Sequence, residues 1–250
     1  MEARAGKLYT PLLMRVFVVL PAAGMGTRMA PGHATPNAPK QFLTLQGVPI
    51  LVHSLRAFAA VPRVDAIYVA VRDTEMSRMR ALVAEYQLEK RVQVVEGGDI
   101  RQQSVGNALK VIQADDDDII LVHDAVRPLI DPATIERTID AVEKHGAAIV
   151  GLPAVDTIKQ VTRTADGAIV TATIPREYVV QAQTPQGFRW RVLKRAFAEA
   201  EADGFVGTDE ASMVERSGVD VAVVSGSSEN LKITQPGDLE LAEFYLQHRS

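Results

Sequence analysis

Apolar runs and amphipathic stretches alternate through the first half of the chain. Short runs rich in Val, Ile and Leu at 16–20, 66–71, 92–95, 119–122 and 147–152 predict buried strands. Between them, apolar residues recur at helical spacing over 50–60, 74–86, 101–112 and 132–145. Asp131-Pro132 supplies a helix start, an N-cap followed by proline in the first turn. This rhythm predicts an α/β protein with a Rossmann-like, mostly parallel sheet and helices on both faces. Ligands of such sheets bind beyond the carboxyl ends of the strands. Three polar motifs fall at that edge: the turn after Leu20, Gly97-Gly98-Asp99 after Val95, and His123-Asp124 after Val122.

The pattern changes at about Asp156. Residues 157–173 alternate and are rich in Thr, Val and Ile around Ala165-Asp166-Gly167, which reads as a β-hairpin with an Asp-Gly turn. With few large apolar residues and no helical cover, the hairpin reads as an arm projecting from the main sheet. Helical patterns return at 189–202 and 208–217, followed by a strand at 219–224 and a helix over 236–247. Thr208 heads a possible capping box in Thr208-Asp209-Glu210-Ala211-Ser212, and Lys232 falls in a short strand before the last helix. The expectation is one domain over 15–250 with its arm at about 155–178, preceded by a disordered extension over 1–14. That extension contains Glu2, has no long apolar core and shows no cleavage site, so it does not read as a signal peptide.

Composition narrows the chemistry. The 250 residues include no cysteine, which excludes disulfides, thiolate catalysis and Cys-bound metals. His33, His53, His123, His145 and His248 are scattered without a paired spacing, so a histidine-built metal site is not expected. A formal net charge of −4 argues against nonspecific nucleic-acid binding. No apolar run approaches the roughly 20 residues of a membrane span, and a cytoplasmic location is the default expectation.

The turn Pro21-Ala22-Ala23-Gly24-Met25-Gly26 joins small residues to a buried strand, and Arg28 and Lys40 follow it. Small side chains let backbone N–H groups approach a polyanion, so strand, turn and cations together read as a phosphate cradle. It is neither the dinucleotide fingerprint, since Met29 replaces the third small residue, nor a P-loop, whose signature is absent. Gly97-Gly98-Asp99-Ile100-Arg101-Gln102-Gln103-Ser104 is a glycine turn that opens a helix, where Gly98 and Ser104 could read a base edge. In His123-Asp124-Ala125-Val126-Arg127-Pro128, Asp124 at a strand end could hold Mg²⁺ and Arg127 could clamp a phosphate, or the two could form an ion pair. His123 reads as structural, and the acidic run 115–118 as a solvated loop.

Taken in order, these motifs resemble the 2-C-methyl-D-erythritol 4-phosphate cytidylyltransferases of the non-mevalonate isoprenoid pathway. The resemblance runs from about Val16 to Tyr245. It comprises P-A-A-G-x-G-x-R-M at 21–29, P-K-Q-F at 39–42, G-G-D-x-R-x-x-S at 97–104 and H-D-A-x-R-P at 123–128. D-T-I-K at 156–159, Q-T-P-Q at 183–186, T-D-E-A-S at 208–212 and N-L-K-I-T at 230–234 complete it. The stretch 30–38 is longer than the family's usual link, which leaves the conformation of that loop open.

The resemblance implies a nucleotidyltransferase fold and transfer of CMP from CTP to methylerythritol phosphate, with Mg²⁺ or another divalent cation. Arg28 and Lys40 would stabilise the transition state, and Arg176 and Lys232 would position the acceptor phosphate. Asp124, Arg127, Thr157 and Thr208 would lie near the acceptor, and Pro21, Ala22, Ala23, Gly24, Gly98, Asp99 and Ser104 around CTP. The arm of one subunit would complete its partner's site, which implies a homodimer. Alternatives are a ribitol 5-phosphate cytidylyltransferase, whose members tend to open A-G-G and lack T-D-E-A-S, a non-catalytic nucleotide-binding subunit, and a dimeric interaction module. Intact Arg28, Lys40 and Lys232 speak against the non-catalytic reading.

Overall fold

The computed structural model describes residues 14–24 and 39–248. Arg28, the loop 30–38 and all but Met14 of the expected extension lie outside the described residues. In chain order the elements are β1 (Val16–Pro21), β2 (Thr44–Leu45), β3 (Val48–Pro49), α1 (Ile50–Ala59), β4 (Val64–Val71), α2 (Met76–Glu85), β5 (Val92–Glu96) and α3 (Arg101–Val111). They continue with β6 (Ile119–Val122), α4 (Pro132–His145), β7 (Ala147–Pro153), β8 (Ile158–Thr164), β9 (Gly167–Ile174) and β10 (Val180–Arg189). The chain ends with α5 (Trp190–Ala202), α6 (Glu210–Arg216), β11 (Ala222–Ser225) and α7 (Pro236–His248).

Seven strands form one sheet in the order β11-β7-β10-β6-β1-β4-β5. All neighbours are parallel except β10, which runs antiparallel to both β6 and β7. Side chains of β1 alternate between faces, as a strand's period of two requires. Val16, Val18 and Leu20 pack with α1, α2 and α4 through Leu55, Phe58, Met79 and Ile139. Phe17 and Val19 face α3, α5 and α6 through Val105, Leu109, Leu193 and Met213. Helices therefore cover both faces, and the parallel strands present their carboxyl ends to one edge.

Local signals set the helix limits. Asp131 Oδ1 accepts from the Thr134 N–H at 2.7 Å, and Gly146 ends α4 with φ at 85°, a conformation glycine adopts without a Cβ penalty. At α6 the cap is Asp209 and not the expected Thr208: Asp209 Oδ1 accepts from the Ser212 N–H at 2.9 Å. Residues 231–234 carry no regular structure, so Lys232 is not in a strand; the segment is held by Ile233 N–H donating to Val126 O at 2.9 Å.

The arm is a separate two-stranded sheet of β8 and β9, with Val161 opposite Val170 and Ile158 opposite Ile174. Neither strand contains a buried residue. The acidic run is not uniformly solvated either. Asp118 is buried and accepts from Arg15 N–H at 2.9 Å, from its guanidinium at 2.7 Å and from Asp115 N–H at 2.8 Å.

Candidate active site

In the turn after β1, Ala22 and Ala23 are fastened at three points. Ala22 N–H donates to Ala70 O at 2.7 Å. Gln41 Nε2 donates to Ala22 O at 2.5 Å and Arg72 Nε to Ala23 O at 2.8 Å. Gln41 belongs to the 3₁₀ turn Lys40–Phe42, so its bond sets Lys40 beside the small-residue turn. Arg78 lies over the Phe42 ring at 4.1 Å, and Lys40 Nζ donates to Ile233 O at 3.2 Å. Three separate segments thus meet around one lysine.

The turn after β5 needs its glycines for space. A Cβ on Gly97 would lie 2.6 Å from Ala23 Cβ, and one on Gly98 would lie 2.4 Å from Gln103 Cβ. The loop closes on itself: Gly98 N–H donates to Ser104 Oγ at 3.0 Å, and Gln103 Oε1 accepts from the N–H of Asp99 at 2.9 Å. Ser104 is buried, and its hydroxyl is engaged with the loop backbone.

After β6 the chain gathers charge around Asp124. One oxygen lies 3.4 Å from Arg101 Nη2, and the other 3.0 Å from Lys232 Nζ and 3.3 Å from Arg127 Nε. Burial alone would raise the Asp124 pKa, but Arg101, Lys232 and Arg127 outweigh it and hold the carboxyl below the ordinary carboxylate range. Arg101 also reaches the buried Glu210 with Nη1, and burial pushes that carboxyl up against the pull of the guanidinium.

His123 anchors this turn from beneath. It is fully buried, packs edge-on against Phe58 at 4.9 Å, and sits between Thr184 Oγ1 at 3.0 Å and Arg127 O at 3.1 Å. Thr184 Oγ1 accepts from the Asp124 N–H at 3.0 Å, so its proton is left for His123 Nδ1, and Nε2–H donates to Arg127 O. Burial lowers the His123 pKa to about 4.

These pieces line a cleft of about 160 Å³ at the carboxyl edge of the sheet. Of the residues expected from the sequence, Pro21, Ala22, Ala23, Gly24, Lys40, Gly98, Asp99, Ser104, Asp124 and Lys232 line it. Arg127 does not: it is buried behind Asp124 and donates from Nη1 to Asn230 O at 2.6 Å, so it shapes the site and presents no free fork to a phosphate. Thr208 is exposed beside α6, and Thr157 and Arg176 stand on or beside the arm, where Arg176 Nη1 donates to Val155 O at 2.7 Å. None of these three lines the cleft of the same chain.

Arg101, Gln41 and Glu210 are site residues that sequence reasoning did not single out. Their signal lay in the spacing to motif neighbours, but their partners are far away in sequence. A resident Mg²⁺ on Asp124 does not fit the donor set, because three cations already surround that carboxylate within 3.4 Å. Among the described residues no group of three His, Asp or Glu side chains is placed to hold a metal.

Glycine-tight turns and cations gathered at the carboxyl edge of a mostly parallel sheet are the arrangement of an α/β nucleotidyltransferase fold. Residues 16–248 match the family model of the 2-C-methyl-D-erythritol 4-phosphate cytidylyltransferases (IspD). The chain belongs to that family, and its activity is cytidylyl transfer to 2-C-methyl-D-erythritol 4-phosphate. It is 71% identical to the enzyme of that name from Acidobacterium capsulatum over 95% of this chain and 99% of the relative. It is 52% identical to the one from Solibacter usitatus, over 95% and 98% respectively. The crystal structure of the Thermus thermophilus cytidylyltransferase superposes with a TM-score of 0.74 at 32% identity, covering 94% of this chain and 100% of that one.

Proposed function

We propose that the cleft binds CTP and that the acceptor phosphate enters beside Asp124 and Lys232. The observation that carries this reading is the convergence of Lys40, Lys232 and Arg101 with two small-residue turns at one sheet edge. An oxygen of the methylerythritol phosphate attacks the α-phosphorus of CTP. One P–O bond forms, the bond to the bridging oxygen breaks, and pyrophosphate leaves. The nucleophile is already largely anionic at neutral pH, since the second pKa of a phosphate monoester is about 6. No general base is required, and the protein's task is to hold two polyanions together and neutralise charge. Lys40, with Arg28, does this at the α-phosphorus. A divalent cation enters with the triphosphate as part of the substrate, in keeping with the poor fit of Asp124 to a metal.

In this reading Thr157, Thr208 and Arg176 serve the acceptor, the last from the arm of a second subunit in a homodimer. The exposed apolar residues of the arm support that assembly. The enzyme works in the cytoplasm; no helix among the described residues is long and apolar enough to cross a membrane. Pyrophosphate release is the test. Methylerythritol phosphate with CTP is the productive pair, and ribitol 5-phosphate is not an efficient acceptor. Lys40→Ala is expected to lower kcat about 10³-fold while CTP affinity changes less than about tenfold. A Lys40→Ala enzyme with kcat near wild type would overturn the assignment.

A further inference from the structure

Glu210 is nearly inaccessible, although α6 begins at the surface beside the exposed Thr208. It does not cap α6, since Asp209 does so, and burying a carboxylate costs stability unless a partner compensates it. The partner is Arg101, whose Nη1 meets both Glu210 oxygens while Nη2 lies 3.4 Å from Asp124. Arg101 opens α3 directly after the Gly97-Gly98 turn, so this one guanidinium joins the nucleotide turn, the α6 segment and the carboxylate that holds Lys232.

We propose that Glu210 is a positioning residue for the transfer reaction, acting through Arg101. Its carboxylate retains one edge of the guanidinium, so that only the other edge meets Asp124. Asp124 is then shared among Arg101, Arg127 and Lys232, and Lys232 is kept at the cleft. Without Glu210, Arg101 keeps only Asp124 as an ion-pair partner, with Asp209 acting on it without an ion-pair contact, and competes with Lys232 for Asp124. A planar fork can bridge two carboxylates in this way, whereas a lysine ammonium cannot reproduce the geometry. The inference rests on the reading of Asp124 and Lys232 as parts of the reacting site.

The test is Glu210→Gln, which keeps the volume and removes the charge, with kcat and both KM values measured on folded enzyme verified by thermal unfolding. Misplacement of a reacting group lowers kcat about 10²-fold, while the KM for CTP stays within about threefold, because the turns that hold CTP are fastened independently. A purely structural role would lower the folded fraction and leave kcat per folded enzyme unchanged, and that result would overturn the proposal. Should Glu210→Gln fail to fold, Glu210→Met, close in volume and uncharged, carries the same test and is expected to show the same split. Lys232→Ala separates the two levels. If it loses activity while Glu210→Gln does not, only this inference fails. If Lys232→Ala stays fully active, the reading of the site fails and the inference with it.

Discussion

At the cleft, Asp124 meets three cations within 3.4 Å, the carbonyls of Ala22 and Ala23 are bound by Gln41 and Arg72, and His123 is enclosed by Phe58, Thr184 and Arg127. On the arm, Val161, Val170 and Ile169 are 44%, 57% and 62% exposed, and Tyr178 just beyond it is 84% exposed. A fully buried large apolar side chain contributes about 1.5–3 kcal/mol, and the two arm strands have none. An isolated two-stranded hairpin is marginal in water, and exposed apolar residues on such an arm are what the proposed second subunit would cover. The comparison separates a preorganised half, the cleft proposed for CTP, from an open half, the arm and Thr208, proposed to serve the acceptor.

The largest effect that could break this division comes from Arg176. If the arm serves a neighbouring site, Arg176→Ala lowers kcat about 10³-fold, as does Lys40→Ala. Heterodimers of the two inactive chains would hold one site with both residues intact, and activity would recover to about half of wild type per dimer. Absence of recovery in heterodimers isolated by two different tags would return Arg176 to its own chain or remove it from the site.

The same division explains what was readable in the sequence. The boundaries of β6 and α4 agree with their patterns because a β-branched run and an Asp-Pro start with a Gly stop are local signals. The arm came through shifted by one residue, and its turn falls one residue earlier than the expected Asp-Gly: Ala165 and Asp166 make it, while Gly167 opens β9 opposite Thr164. The strand β10 was not legible. It contains Pro185 and three glutamines, and its pairing register shifts between Gln183 and Gln186. The two buried glutamines are satisfied by tertiary contacts, Gln186 through Asp209 and the Ala211 N–H and Gln183 through Ser227 O, so their burial has no period to betray it. At the site, residues placed by a strand end were legible, while the pairing of Arg101 with Glu210, each a letter of its own motif, spans 109 positions and had no local mark.

His123 tests the preorganised half at smaller scale. Its ordinary pKa is 6.5, and burial lowers it to about 4 in the folded chain. As pH falls below 6.5 the unfolded chain takes up a proton that the folded chain refuses, so stability declines across that window and is lost by about 3 kcal/mol at pH 4. Urea unfolding of wild type and His123→Gln at several pH values from 6.5 to 4 measures this. The variant is expected to be less stable at pH 6.5 but to show a flatter dependence, whatever other groups titrate in both chains. Equal slopes in the two proteins would mean that the imidazole is already charged or hydrated in the fold.

The smallest effect sharpens the boundary between the halves at a single peptide bond. Asp209 caps α6 and accepts from Gln186 Nε2 at 2.7 Å, whereas its neighbour Thr208 is exposed and makes no cap. Asp209→Ala should therefore cost about 1–2 kcal/mol in thermal or urea unfolding, the usual range for a lost N-cap with an added side-chain bond. Thr208→Ala should fall within about 0.5 kcal/mol of wild type, as surface changes away from such features do. In kinetics the order reverses if Thr208 serves the acceptor: its loss raises the KM for methylerythritol phosphate and leaves the KM for CTP unchanged. A Thr208→Ala chain that is destabilised like Asp209→Ala, with an unaltered acceptor KM, would make Thr208 part of the scaffold and move the boundary of the acceptor half away from α6.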